Sequence, residues 1–292
     1  MGALKATAGV LAGVAAASPI TLQLLRLAPI PGKRLVVHRI PDNRLERFVR
    51  ARAGGVTYDF DLTDRLDRAI YFNAYERRDL KAALRHCPVG AVCLDAGAAM
   101  GYYAINLARK AGSSGTVHCF EPDTYNHARL KRNCEINGVA PRVLINQVAL
   151  SNSRGEAVFH RHPGASADGT LESFGAQWSC EDTVRTETID GYLAEHGIDR
   201  VDFAKVDVEG HELRLLEGAR SALSGHRLGA ILLEFNGGRL AEQGQSLEDL
   251  LSALEKYDYT PVEVNLSLLS LLRRHWIDPA QVSVNFLFKP RS

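Results

Sequence analysis

A chain of 292 residues, 46% apolar and 24% charged, has the composition of a soluble globular protein and room for one large domain, alone or with appendages. A formal net charge of +1, with no long run of Lys and Arg, argues against a general nucleic-acid binder. The five cysteines (Cys87, Cys93, Cys119, Cys134, Cys180) are odd in number, lack C-x-x-C spacing and fit a reducing, cytoplasmic compartment.

Between Lys5 and Arg26 no residue is charged. Residues 1–32 can be read in three ways. One is a signal peptide, with Ala15-Ala16-Ala17 before Ser18 as the cleavage site. Another is a membrane contact or anchor through residues 1–30, since about 20 apolar residues span a bilayer. The third is a helical leader, disordered or packed on the surface. Thr7, Ser18, Pro19, Thr21 and Gln23, with weakly hydrophobic Ala and Gly, favour the third.

Residues 33–86 read as an accessory layer. Arg34 to Arg39 is expected as a strand and Asn43 to Ala51 as a short helix. A turn at Gly54-Gly55 precedes an alternating strand, Val56 to Leu62, and a helix is expected from Glu76 to His86.

From residue 87 onward strands and helices alternate. Val92 to Ala96 is an apolar strand carrying Asp95, followed by a turn with Gly97 and Gly101 and a helix from Tyr102 to Arg109. Thr116 to Phe120 is the next strand, ending in Glu121-Pro122. Asp123 caps a helix that runs to about Asn137 and closes at Gly138. Val143 to Leu150 reads as one strand, and Phe159 to Cys180 as a loop near a ligand. A helix opens at Thr188, Val201 to Asp207 is a strand, Glu212 to Leu223 a helix and Ala230 to Phe235 a strand. A helix from Ser246 to Tyr257 and strands at Thr260 to Asn265 and Val282 to Phe288 complete the pattern, with Leu266 to Trp276 as a connecting helix. Apolar strands alternating with helices imply an α/β fold, a doubly wound and mostly parallel sheet covered on both faces.

The strand, tight turn and helix around Gly97 form the first half of a nucleotide-type unit. Glu121, 24 positions beyond Gly97 and at the end of the next strand, stands where an acid accepts two ribose hydroxyls. A nicotinamide cofactor would want G-x-G-x-x-G to hold its pyrophosphate on helix amides. Here the middle glycine is missing and Asp95 adds a carboxylate. The ligand should therefore lack a pyrophosphate and tolerate an anion. S-adenosylmethionine, with its zwitterionic amino acid end beside a sulfonium, meets both conditions.

Four motifs in order (Asp95-Ala-Gly-Ala-Ala-Met-Gly-Tyr-Tyr103, Phe120-Glu-Pro122, Val148-Ala-Leu-Ser-Asn152 with Gly155, and Lys205-Val-Asp-Val-Glu-Gly-His-Glu212) resemble the FkbM-type S-adenosylmethionine-dependent methyltransferases. The resemblance spans about Tyr75 to Asn236. It implies the seven-stranded class I methyltransferase fold with an antiparallel last strand, over residues 87–292. It also implies that Asp95, Gly97, Ala98, Gly101 and Tyr102 lie at the methionine end. Glu121 and Pro122 would then lie at the ribose, Val148 and Ala149 beside the adenine, and Asp207 at the reacting end. Ala98-Ala99 departs from the Ala-Asn often found in such motifs, which removes one side-chain contact.

The stretch from Lys205 to Glu212 puts five ionisable groups in eight residues directly after an apolar strand. That is costly unless it serves a site or an ion-pair network, and the carboxyl end of a central strand is where an open α/β sheet places its ligand. Lys205, Asp207, Glu209 and His211 are the candidate catalytic residues, with Asp207 or His211 as the base that takes a proton from an acceptor hydroxyl. A competing arrangement has Asp207 and Glu234 hold a divalent metal. Two carboxylates alone make a thin site, so no metal ligand is assigned. His160 and His162 lie in the expected ligand loop, where such residues are more often merely solvated.

The function expected is methyl transfer to a hydroxyl of a small molecule, sugar, or glycan- or lipid-linked acceptor. The alternatives are a non-catalytic S-adenosylmethionine-binding protein and, third, an NAD-dependent oxidoreductase. The oligomeric state is not written in these motifs.

Overall fold

The computed structural model describes residues 19–27, 33–162, 165–172 and 180–291. The chain divides into two compact units, one of residues up to Arg77 with Gly164–Ser166, the other of Arg78–Pro163 with Ala167–Ser292.

In the first unit, β1 (Phe48–Ala53) and β2 (Val56–Asp61) form an antiparallel hairpin closed at Gly54 and Gly55. A helix at Arg65–Tyr71 follows, its first turn capped by the Asp64 carboxylate, which accepts the N–H groups of Leu66 and Asp67. Two expectations are overturned here. Arg34 to Arg39 is not a strand: Lys33–Val37 is a short helix. Consecutive Val36 and Val37 are both buried in one cluster with Leu25, Ile40 and Phe72, whereas a strand would turn neighbouring residues to opposite faces. Asn43 to Ala51 is not a helix either. A single 3-10 turn at Asp42–Arg44 leads into β1, whose residues alternate in exposure as a hairpin strand should. Of the leader, only the helix Pro19–Leu27 lies within the described residues, and the readings of residues 1–18 fall outside them. Among the described residues no helix is long and apolar enough to cross a membrane.

The second unit is built on a seven-stranded sheet. Its strands are β3 (Val92–Ala96), β4 (Thr116–Phe120), β5 (Val143–Asn146), β10 (Val201–Val206), β11 (Leu228–Asn236), β12 (Tyr259–Val262) and β13 (Ser283–Pro290). Their order across the sheet is β12-β13-β11-β10-β3-β4-β5. The pairs β11·β10, β10·β3, β3·β4 and β4·β5 are parallel, while β13 runs antiparallel to both β11 and β12. The reversed last strand is as expected. The first eight of the nine β11 residues are buried, because helices cover both faces of such a sheet. The core gathers Leu94, Phe120, Val206, Ile231, Phe235 and Phe286 with Leu215, Leu250 and Leu254 from the flanking helices.

A second, four-stranded sheet replaces the expected loop from Phe159 to Cys180. It has the order β6-β9-β7-β8, from β6 (Ala149–Leu150), β7 (Gly155–His162), β8 (Ala165–Thr170) and β9 (Cys180–Glu187). The antiparallel pairing of β7 with β9, from Gly155↔Thr186 to Arg161↔Cys180, supplies the backbone partners that the Gly- and Ser-bearing sequence hides. Residues 163–164 and 173–179 of that stretch, and the side chains of His162, Ala165, Ala167 and Cys180, lie outside the described residues. The expected strand Val143 to Leu150 is cut in two: β5 stays in the main sheet, and β6 joins β9. The helix expected from Glu212 to Leu223 is also two helices, Glu212–Glu217 and Arg220–Ser224. Cys87, Cys93, Cys119 and Cys134 are free and buried.

Candidate active site

The carboxyl ends of four neighbouring strands bring together the acids singled out by sequence. Asp95 lies on β3, Glu121 just past β4, Asp207 just past β10 and Glu234 near the end of β11. The turn after β3 is held from within. Gly97 and Ala98 donate their N–H groups to the Phe120 carbonyl at 3.0 and 3.2 Å, Ala99 donates to Glu121 Oε2 at 2.7 Å, and Gly101 to the Ala98 carbonyl at 2.8 Å. Amides engaged in this way are not a cradle for a pyrophosphate. Gly97 has φ +78°, and a Cβ there would overlap the Asp207 carbonyl oxygen. The missing side chain thus lets the exits of β3 and β10 touch, and the Asp207 N–H bonds the Ala96 carbonyl at 3.0 Å. Gly101, at φ +96°, starts the helix Tyr102–Ala111 against Leu130. Ala98 and Tyr102 are buried, and Tyr102 packs edge-to-face on Tyr103.

Asp95 is 1% exposed, and its Oδ2 has no hydrogen-bond partner. Burial, helped by Asp207 and opposed by Lys205, pushes its carboxyl up to about 7. Glu121 is also buried, with Oε2 bonded by Ala99 and Oε1 by the Asp123 N–H at 3.0 Å. Burial pushes it up to about 8 against those two backbone donors. Pro122 and Val148 are half-buried and Ala149 is buried.

Lys205, 1% exposed, donates to Asp207 Oδ2 at 2.9 Å and to Asn285 Oδ1 at 2.9 Å. Asn285, from β13, donates in turn to Asp79 Oδ2 at 3.0 Å. The Tyr103 ring stands 5.5 Å from the ammonium. A buried Lys needs such partners, because an unpaired buried charge costs several kcal/mol.

Past Asp207 the chain bends through Glu209 (φ +52°) and Gly210 (φ +95°). The bend is fixed by Glu212, whose Oε1 accepts the N–H groups of Val208 and Gly210 at 3.2 and 3.1 Å. One carboxylate oxygen each from Asp207, Glu209 and Glu234 lies within 4.8 Å of the others. Sequence reasoning paired Asp207 with Glu234 and left out Glu209 as a third donor, because only the bend turns it inward. His211 has both ring nitrogens engaged, Nδ1 with Glu172 Oε1 at 2.6 Å and Nε2 with Ser151 Oγ at 2.9 Å. A proton reaches or leaves this ring only through one of those partners. His160 is buried on β7, with Nδ1 3.3 Å from Glu181.

Five residues of this network escaped sequence reasoning: Asp79, Ser151, Glu172, Ser283 and Asn285. Ser151 was within a quoted motif. The others carry no local signal: Asp79 and Glu172 reach the site from the helix Arg77–Arg85 and from the turn after β8, and Ser283 and Asn285 from β13.

A seven-stranded, mostly parallel sheet with one reversed strand, a glycine turn after its first core strand and acids ending the next strands has the architecture of the Rossmann-like class I methyltransferase fold. Residues 95–261 match the profile of the methyltransferase FkbM domain. The chain belongs to the FkbM methyltransferase family. It is 27% identical over 156 residues to the 2-O-methyltransferase NoeI of Sinorhizobium fredii, covering 49% of this chain and 62% of that protein. It is 36% identical over 135 residues to the hexuronic acid methyltransferase AglP of Haloferax volcanii, covering 45% of this chain and 51% of that protein. The matches thus span about half to three-fifths of those relatives. A solved S-adenosylmethionine-dependent methyltransferase from Geobacter sulfurreducens, in complex with S-adenosylhomocysteine, aligns with a TM-score of 0.39 at 15% identity, covering 74% of this chain and 92% of that one.

Proposed function

We propose that this chain transfers a methyl group from S-adenosylmethionine to a hydroxyl oxygen of a sugar, a glycan- or lipid-linked sugar, or a similar small acceptor. The observation that carries the reading is the buried, partnerless Asp95 Oδ2 beside the acid-lined exits of β3, β4 and β10. An orphaned buried carboxylate oxygen calls for a cation or a donor, and the cofactor's ammonium supplies one. Asp95, with Gly97, Ala98, Gly101 and Tyr102 shaping the turn, holds the methionine end. Glu121, with Pro122 beside it, receives the ribose hydroxyls, and Val148 and Ala149 flank the adenine. When bound, the cofactor offers an electrophilic methyl on a sulfonium.

The chain's own work is alignment and proton removal. Holding a nucleophile in line is worth roughly 7–11 kcal/mol, and a placed base adds about 10²–10⁴-fold. Asp207 is that base, kept in place by Lys205. Lys205, His211 and Glu209 position the acceptor side of the site. Two relatives are named for a 2-O-methyl and a hexuronic acid reaction, which supports an oxygen acceptor on a sugar.

Calorimetry with S-adenosylmethionine, S-adenosylhomocysteine and NAD tests the cofactor. Binding of the first two and not the third is expected, and binding of NAD alone overturns the reading. Labelled-methyl transfer to uronic acids, deoxysugars and extracted glycolipids tests the acceptor. Cofactor binding with no transfer to any extract favours a non-catalytic binding protein.

A further inference from the structure

We propose that Asp207, Glu209 and Glu234 together bind one hard divalent cation of the Mg2+, Mn2+ or Ca2+ class. Each offers a carboxylate oxygen, and the three oxygens lie within 4.8 Å of one another. That span suits one coordination shell, in which opposite oxygens stand roughly 4.2 Å apart around Mg2+ and about 5 Å around Ca2+. The donors are all hard oxygens, with no thiolate or imidazole in the trio, which selects against zinc and copper.

An independent observation points to a ligand. Glu234 is 8% exposed, its Oε1 is bonded by the Ser283 hydroxyl at 2.8 Å, and its Oε2 is buried with no hydrogen-bond donor on it, while the carboxyl also meets the Asp207 carboxylate. Buried polar atoms are seldom left this way without an ion or a proton to satisfy them.

The surrounding charges do not supply the missing partner. Lys205 is committed to Asp207 at 2.9 Å, and Arg239 stands 4.0 Å from Glu209. Against these two cations are the trio itself, Asp95 and Glu212 acting on Asp207, and Asp168 acting on Glu209. Among the described residues these six carboxylates face those two cations. Groups crowded in this way either share a proton or take up a metal ion.

A cation here would lie next to the Lys205–Asp207 pair and could polarise an acceptor hydroxyl. That consequence rests on the methyl-transfer reading, whereas ion binding itself does not.

The test is a Mn2+ titration of the full chain, following the electron paramagnetic resonance signal of free Mn2+, with Mg2+ as competitor. One saturable ion per chain is expected below about 1 mM. Glu234→Gln and Glu209→Gln should each weaken it by at least about tenfold, and the exposed Glu248→Gln should leave it unchanged. Removing one crowded charge should leave the Glu234→Gln melting temperature at or above that of the unsubstituted chain. If this variant melts early, Glu209→Gln decides. No saturable Mn2+, or an affinity equal to that of the unsubstituted chain in both variants, overturns the proposal. S-adenosylhomocysteine calorimetry on the same samples separates the two readings. Cofactor binding without Mn2+ removes only the metal, and Mn2+ binding without the cofactor removes only the methyltransferase.

Discussion

Glu121→Gln keeps the size of the side chain and removes its charge, and the structure sets two opposing effects. Each carboxylate oxygen accepts one backbone N–H, from Ala99 and from Asp123. A Gln amide can accept only one, so the other N–H loses its acceptor at a cost of about 1–3 kcal/mol. Against this stands the charge. Folding raises the carboxyl from 4.5 to about 8, so the folded chain holds a proton that the unfolded chain has released. The stability this group contributes is fully present below 4.5 and is lost as pH climbs to about 8, at roughly 1.36 kcal/mol per pH step, a ceiling on the order of 5 kcal/mol. In urea unfolding, the variant should therefore be less stable than the parent at pH 5 by about 1–3 kcal/mol and equal or more stable at pH 8.5. Binding adds a second readout. If two ribose hydroxyls donate to the ionised carboxylate at about 1.5–3 kcal/mol each, the variant should bind S-adenosylhomocysteine at least about 10²-fold more weakly. Parent affinity should rise with pH until about 8, and the variant should lack that upper step. A stability deficit that is the same at pH 5 and 8.5, or unchanged cofactor affinity, would refute the reasoning.

Gly97→Ala should destabilise the chain by at least about 3 kcal/mol in urea, because φ is +78° and the new Cβ meets backbone rather than a side chain that can move. A loss under about 1 kcal/mol would mean that the exits of β3 and β10 part easily. Lys205→Met breaks a buried pair, costing about 3–5 kcal/mol, and should lower turnover at least about 10²-fold, read in a methyl-transfer assay. Turnover within about twofold of the parent would take the Lys205–Asp207 pair out of the chemistry. His211→Ala should leave cofactor affinity within about threefold and reduce turnover by at least about tenfold. Undiminished turnover would confine the Ser151–His211–Glu172 chain to holding the fold.

The alternation from Val92 onward was legible because a parallel sheet writes itself as local apolar runs separated by helices, and the acids ending those runs mark the ligand crevice. Arg34 to Arg39 misled because two adjacent valines look like a strand until their common burial with Phe72 is seen. Phe159 to Cys180 misled for the opposite reason, since β7 and β9 owe their extension to each other and not to their own composition. Glu209 and Asn285 show the same limit at the site. Glu209 stands out in the sequence only as one acid of a charged run and Asn285 not at all; that they meet the Asp207–Glu234 pair and Lys205 follows from a left-handed bend and from a strand reversed against β11.

That reversed strand has a consequence for biosynthesis. Ser283 donates to Glu234 and Asn285 accepts from Lys205, and both lie on β13, which follows every other site residue along the chain yet sits between β12 and β11. During translation the acids and Lys205 emerge first and wait without these partners. The crevice can reach its final electrostatic state only when β13 slots into the sheet. A nascent or truncated chain ending before Ser283 would hold only the five parallel strands, since β12 joins the sheet through β13, and an unfinished site. On the proposed reading, methyl transfer would thus report on completion of the fold itself.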